Sequence, residues 1–155
     1  MKSLIGLEKD KSEKLAHRLN DLLANYQLFY INTRGFHWNI TGDKFFELHI
    51  KFEELYTNSQ EKIDEIAERV LTLGFTPSHT FTAYLQESTI KEAVNVSDGK
   101  EAVQNVVDGF RVLLEIERDI LDISGDANDE GTNALMSDYI REQEKLVWMY
   151  SAFLN

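Results

Sequence analysis

The chain has 155 residues, a length typical of one domain, and its 43% hydrophobic and 28% charged content supports a packed core and excludes intrinsic disorder. The absence of cysteine excludes disulfides and thiolate metal sites, so that any bound metal must be held by His, Asp and Glu. A formal net charge of -11 opposes nucleic-acid binding, and a single proline with only 8 glycines favours long helices. These properties predict an all-α protein.

Apolar residues at every third or fourth position predict a first helix over residues 13–37. A turn at 39–42 ends it, and we expect Asp43 to cap a second helix that runs to about Leu73. The only proline, Pro77, follows this second helix and prevents its extension.

The second half of the chain predicts two further helices. Asp98 is the expected N-cap of a third helix over 98–124, and a turn at 125–129 leads into a fourth helix that runs to the C-terminus. The connection from the second to the third helix is too long for a hairpin, so we predict a bundle-length crossover with a short helix at 90–95. The expected architecture is a ferritin-like four-helix bundle, a single domain over 1–155 with a short tail at 1–7.

No apolar run is long enough to cross a bilayer, and the N-terminus lacks the pattern of a secretory signal. We therefore expect a cytoplasmic protein with no membrane partner.

A second stripe lies on the second helix, displaced by about 100° from its apolar stripe. The stripe contains aromatic, small, aliphatic and acidic residues, a mixture that is unusual on a helix face exposed to solvent. We therefore predict that this face contacts another subunit. Its members are Phe46, His49, Glu53, Tyr56, Gln60, Asp64, Ala67 and Leu71, with Glu68 at its edge.

Two pairs on this stripe, four residues apart, have the chemistry of metal ligands: His49 with Glu53, and Asp64 with Glu68. Imidazole and carboxylate together suit iron, manganese or zinc. His49 and Asp64 are about 22 Å apart along the helix, so the helix of one chain cannot close the site alone. An antiparallel copy across a two-fold axis would join the two pairs, and His37 could join His49.

Spacing alone leaves a simpler interpretation open. A helical histidine is usually a satisfied structural side chain, and acidic pairs four residues apart are common on solvated faces.

Four segments carry a more specific pattern: HWNITG at 37–42, FFELH at 45–49, FEELY at 52–56 and DEIAER at 64–69. This pattern resembles the signature of the Dps family, the miniature ferritins named as DNA-binding proteins from starved cells. The resemblance covers essentially the whole chain.

The resemblance implies a homododecameric shell that oxidises ferrous iron with hydrogen peroxide, or more slowly with oxygen, and stores a ferric mineral. It implies a di-iron site between two-fold related subunits, with Trp38 close by as a ring that either intercepts radicals or closes the interface. The implied ligands are His37, His49 and Glu53 of one subunit and Asp64 and Glu68 of the other. The family often has Asp at the position of Glu53, so this longer side chain either shifts its carboxylate or binds through water.

Acidic residues also gather around the turn before the fourth helix, where the family resemblance implies three-fold pores. The simpler interpretation is that Asp129 and Glu130 favour the N-terminus of that helix. The acidic residues are Asp119, Asp122, Asp126, Asp129 and Glu130. Ala134 stands where some relatives have an acidic residue, so the inner end of such a pore would be less charged here. His17 and His79 match no motif position and are expected to be structural or surface residues.

The alternative function is a DNA-binding, nucleoid-protecting protein with little ferroxidase role. Only about a dozen residues precede the first predicted helix, and Lys2, Lys9 and Lys11 are offset by Glu8 and Asp10. We therefore do not expect DNA binding at physiological salt. A di-iron site inside each bundle is excluded because the third and fourth helices contain no histidine. The remaining alternative is an iron-free shell.

Overall fold

The computed structural model describes all 155 residues and contains five helices. Four long helices form a bundle, and a short fifth helix lies in the crossover, which confirms the predicted fold class. The helices are α1 Lys9–Asn39, α2 Phe45–Thr72, α3 Phe81–Glu87, α4 Gly99–Asp126 and α5 Glu130–Leu154. None of them combines the length and the apolar character that a membrane span needs.

The core lies between two helical hairpins. Helix α1 packs against α2, α4 packs against α5, and α1 and α4 also contact each other. The predicted apolar stripe of α2 faces inward, where Phe52 and Ile66 are completely buried. In the centre, the Phe29 and Phe110 rings lie 4.9 Å apart. Burial of each such large side chain stabilises the fold by about 1.5–3 kcal/mol.

Polar side chains connect α2 to α5. The buried Lys62 ammonium pairs with Glu142 at 2.9 Å, and Arg69 pairs with Asp129 at 2.7 Å. Asp129 also caps α5 by accepting a hydrogen bond from the Thr132 backbone N–H at 2.9 Å. Because the Asp129 side chain is only 1% exposed, it is a structural residue, as the simpler interpretation of the acidic turn predicted.

The sequence predicted the N-cap of α4 correctly and the N-cap of α2 incorrectly. Asp98 caps α4 as expected, accepting from the Glu101 backbone N–H at 3.0 Å. The prediction that Asp43 caps α2 was wrong, because Lys44 occupies the N-cap position and makes no side-chain cap. Gly42, with a φ of 104°, turns the chain so that the helix begins one residue later than Asp43 could cap it.

Helix α1 begins at Lys9, four residues before the predicted start. The Lys9 backbone N–H bonds to the Met1 carbonyl at 3.1 Å, so the N-terminal segment folds back onto the start of the helix. The added turn is mostly polar, and an apolar stripe therefore could not reveal it.

The short crossover helix was predicted at the wrong place. It covers Phe81–Glu87, where Thr80 caps it, and residues 90–95 are not helical. Hydrogen bonds to asparagines of α1 satisfy the backbone there instead. Asn32 accepts from the Ala93 N–H at 2.9 Å and donates to the Lys91 carbonyl at 2.9 Å.

Asn25 is the main anchor of the crossover. Its side chain is buried, and Oδ1 accepts four hydrogen bonds, from Ser88 Oγ, from the Thr89 hydroxyl and N–H, and from the Ile90 N–H. These bonds hold the crossover in an extended path along α1, which a helix at 90–95 could not follow.

Candidate metal centre

The turn between α1 and α2 brings His37 and His49 together as a stacked pair. Their ring centres lie 3.9 Å apart and the ring planes differ by 13°. Nδ1 of His37 lies 2.6 Å from the His49 carbonyl oxygen, and Nδ1 of His49 lies 2.7 Å from the His37 carbonyl oxygen. The His37 carbonyl is available because it lies in the last turn of α1, where carbonyls lack intrahelical partners.

These reciprocal hydrogen bonds determine where each neutral imidazole carries its proton. A carbonyl oxygen only accepts, so Nδ1 of each ring must be the donor. The proton therefore lies on Nδ1, and Nε2 of both His37 and His49 keeps a free lone pair. This is the form in which imidazole binds a metal, with the other nitrogen held by a backbone carbonyl.

Aromatic rings enclose the histidine pair. Phe45 stacks on His49 with centres 5.0 Å apart, and Tyr56 meets His37 edge-on at 5.4 Å. His37 is 8% exposed and His49 is half-buried. Sequence reasoning did not assign either aromatic residue to the pair, although Phe45 precedes His49 by four residues, a spacing that places both on one helix face.

Asp64 and Glu68 form a second group near the other end of α2. Both are exposed, and the Asp64 charge raises the pKa of Glu68, first by repulsion and then by a shared hydrogen bond. The two carboxyl groups thus converge, and a cation bound between them would relieve their repulsion. Glu53 is also exposed and lies one turn beyond His49.

The histidine pair and the acidic pair do not meet within one chain. Along the continuous helix α2, His49 and Asp64 are separated by about 22 Å. No three His, Asp or Glu side chains of the chain are placed to hold one metal ion. Apolar side chains of the same stripe are exposed beyond both pairs, with Phe46 at 76% before His49 and Leu71 at 58% after Glu68.

Trp38 lies beside His37 in the sequence and is 59% exposed. The Arg34 guanidinium lies 4.7 Å from the Trp38 ring centre, and Arg34 Nη1 donates to the Tyr30 hydroxyl at 3.1 Å. Sequence reasoning missed Arg34, whose signal is the four-residue spacing from Tyr30 to Arg34 to Trp38. The other two histidines, His17 and His79, are exposed.

Comparison with known proteins identifies the family. The ferritin-like domain family matches residues 16–155. A DNA protection during starvation protein of Porphyromonas gingivalis is 41% identical over 148 residues, covering 96% of this chain and 93% of that protein. The chain belongs to the Dps family.

Solved Dps structures extend this likeness to the whole fold. The crystal structure of a Dps protein from Vibrio cholerae O1 has a TM-score of 0.98 at 60% identity, covering 99% of this chain and 97% of that one. That protein is described as a member of a broad superfamily of ferritin-like diiron-carboxylate proteins. A Dps protein from Bacillus brevis has a TM-score of 0.92 at 39% identity, covering 96% of this chain and 99% of that one. The family resemblance predicted from the sequence is confirmed.

Proposed function

We propose that this Dps-family protein is a ferroxidase and iron-storage mini-ferritin that protects against peroxide. Its substrates are ferrous iron and hydrogen peroxide, with oxygen as the alternative oxidant, and its product is a ferric mineral inside a homododecameric shell. One observation carries the proposal. The stacked His37 and His49 rings present free Nε2 lone pairs near one end of α2, while Asp64 and Glu68 converge near the other.

The proposed di-iron site is shared by two subunits across a two-fold axis. Antiparallel α2 helices bring the histidine pair and Glu53 of one subunit to Asp64 and Glu68 of its mate, which forms two equivalent sites per dimer. The exposed Phe46 and Leu71 then become buried in the contact between the helices.

The ligand set suits iron as a substrate. Neutral imidazoles and carboxylates bind both ferrous and ferric iron, and the carboxylates offset the positive charge of two ions held together. Two ferrous ions each give one electron to hydrogen peroxide, which takes up two protons and leaves as two water molecules. A paired two-electron step avoids the hydroxyl radical that a single electron would release.

Trp38 has a protective role in this proposal. Its indole adjoins His37 and is held under the Arg34 guanidinium, so a radical that escapes the iron site meets an oxidisable ring. The aromatic ring also contributes apolar surface at the proposed subunit contact.

Native mass measurement with an anaerobic ferrous iron titration tests the function. We expect a twelve-subunit assembly in which added peroxide oxidises about two ferrous ions per peroxide. His49→Ala should abolish rapid oxidation, while the matched control His17→Ala, on an exposed histidine of α1, should not. A stable monomer, or equal activity in the two variants, would contradict the proposal.

A further inference from the structure

The centre of the bundle contains a polar cluster apart from the candidate metal centre. Glu117 of α4 is completely buried, and Tyr26 of α1 and Gln143 of α5 are each 1% exposed. The Tyr26 hydroxyl donates to Glu117 Oε2 at 3.1 Å, and Gln143 Nε2 donates to the Tyr26 hydroxyl. Three helices thus meet at one carboxyl group.

Two oxygen atoms of this cluster lack a donor. Glu117 Oε1 and Gln143 Oε1 are both buried and accept no hydrogen bond. Buried acceptors without a partner are costly, so native proteins rarely keep two in one place. A proton on the Glu117 carboxyl group would add a donor to this cluster.

No cation lies close enough to Glu117 to form an ion pair with it. The one buried ammonium, that of Lys62 on α2, pairs with Glu142 at 2.9 Å and also bonds to Asn58 at 3.0 Å. No lysine, arginine or histidine forms an ion pair with Glu117. A buried carboxyl group without an ion-pair partner favours its neutral form.

We propose that Glu117 is an internal proton-binding site, whose carboxyl group is neutral at neutral pH and donates from Oε1 to Gln143 Oε1. The proton closes a ring of hydrogen bonds in which Tyr26 donates to Glu117, Glu117 donates to Gln143, and Gln143 donates to Tyr26. Each member then both donates and accepts.

The surroundings of Glu117 agree with this assignment. Burial raises the pKa of Glu117 to about 8, against the opposing effects of its polar neighbours Gln143 and Tyr26 and of the Lys62 and Arg118 charges. The neighbouring phenols do not compete for the proton, because burial raises the pKa of Tyr26 and of Tyr139 above the usual range. The other charged groups facing the cluster are Glu142 of α5, paired with Lys62, and Glu65 of α2, bonded by the Tyr139 hydroxyl.

The proton links the stability of the subunit to pH. An unfolded chain releases the Glu117 proton at an ordinary carboxyl pKa of about 4.3, whereas the folded subunit keeps it to higher pH. The stability from this group is therefore fully present below a pH of about 4.3, declines as the pH rises towards about 8, and is lost above it.

Infrared spectroscopy of the assembled protein tests the assignment directly. At pH 7 the wild type should show the carbonyl stretch of a protonated carboxylic acid, and raising the pH to about 10 should remove it. Glu117→Gln should lack this band. The control Glu115→Gln, on an exposed glutamate of the same helix, should retain it.

Thermal unfolding supplies a second readout. The wild-type midpoint should fall between about pH 5 and pH 8 relative to that of Glu117→Gln. If Glu117→Gln does not fold, Tyr26→Phe serves as the test variant in the infrared experiment. Loss of the hydrogen bond from Tyr26 should then let the carboxylic acid band persist to higher pH than in the wild type. A wild type without the band at pH 7, as expected of an ionised carboxylate holding a cation, would overturn the proposal. A band that persists in Glu117→Gln, or that Tyr26→Phe moves to lower pH, would do the same.

Discussion

Co-assembly of two inactive variants tests whether the proposed iron site is shared between subunits. His49→Ala removes one of the proposed histidine ligands and leaves the acidic pair intact. Asp64→Ala/Glu68→Ala removes the acidic pair and leaves the histidines intact. Because about 22 Å separates the two groups along α2, neither change should disturb the other group in the same chain.

The expected recovery follows from two-fold symmetry. In a mixed dimer, one site receives the intact histidines and the intact carboxylates, while the other site receives both damaged groups. Random pairing makes half of the dimers mixed, so about a quarter of all sites should regain activity. Each variant assembled alone should be nearly inactive.

The assay is peroxide-dependent ferrous iron oxidation in cages whose mixed composition is verified by native mass spectrometry. A second mixture gives the reciprocal control, with all three substitutions in one chain and wild type as the other. A shared site leaves about a quarter of sites active there, whereas a site within one chain leaves about half active.

Activity that stays at the background of the two parent variants, in cages verified as mixed, would refute the shared site. Half of the wild-type activity in the reciprocal mixture would refute it independently. Both results would place the functional ligands within a single chain.

Two further experiments test the crossover and the alternative function. Asn25→Ala should lower the free energy of unfolding by about 2 kcal/mol, because buried N–H groups of the crossover lose their acceptor. Chemical denaturation measures this loss. The control is Asn105→Ala, whose exposed side chain bonds only within α4, and an equal loss there would contradict the anchoring role of Asn25. The protein should not retard DNA in a gel-shift assay at physiological salt, because each subunit carries a net charge of -11 and the Lys11 ammonium is bonded to the Asp126 carbonyl. A salt-resistant complex would show that a local basic surface overrides this charge.

The sequence alone predicted the four long helices and their order. Periodic apolar residues define the buried face of a helix, and long helices with few breakers leave one solution for burying that face, a bundle. The acidic cap at Asp98 was predictable because it depends on residues three positions apart. The proposed ligand pairs on α2 were visible for the same reason, since residues four apart share a helix face.

Only the tertiary structure decided the details that depend on residues far apart in the chain. The exchange of hydrogen bonds between His37 and His49 requires the ends of two helices to meet, and no local pattern encodes it. Asn25 and Asn32 hold the crossover extended where local propensity suggested a helix. Nothing in the local sequence distinguishes Glu117 from the other charged residues of α4, and it is buried because three helices close around it. Local periodicity fixes which face of a helix is apolar, whereas the environment of a polar side chain is set by the other helices that pack around it.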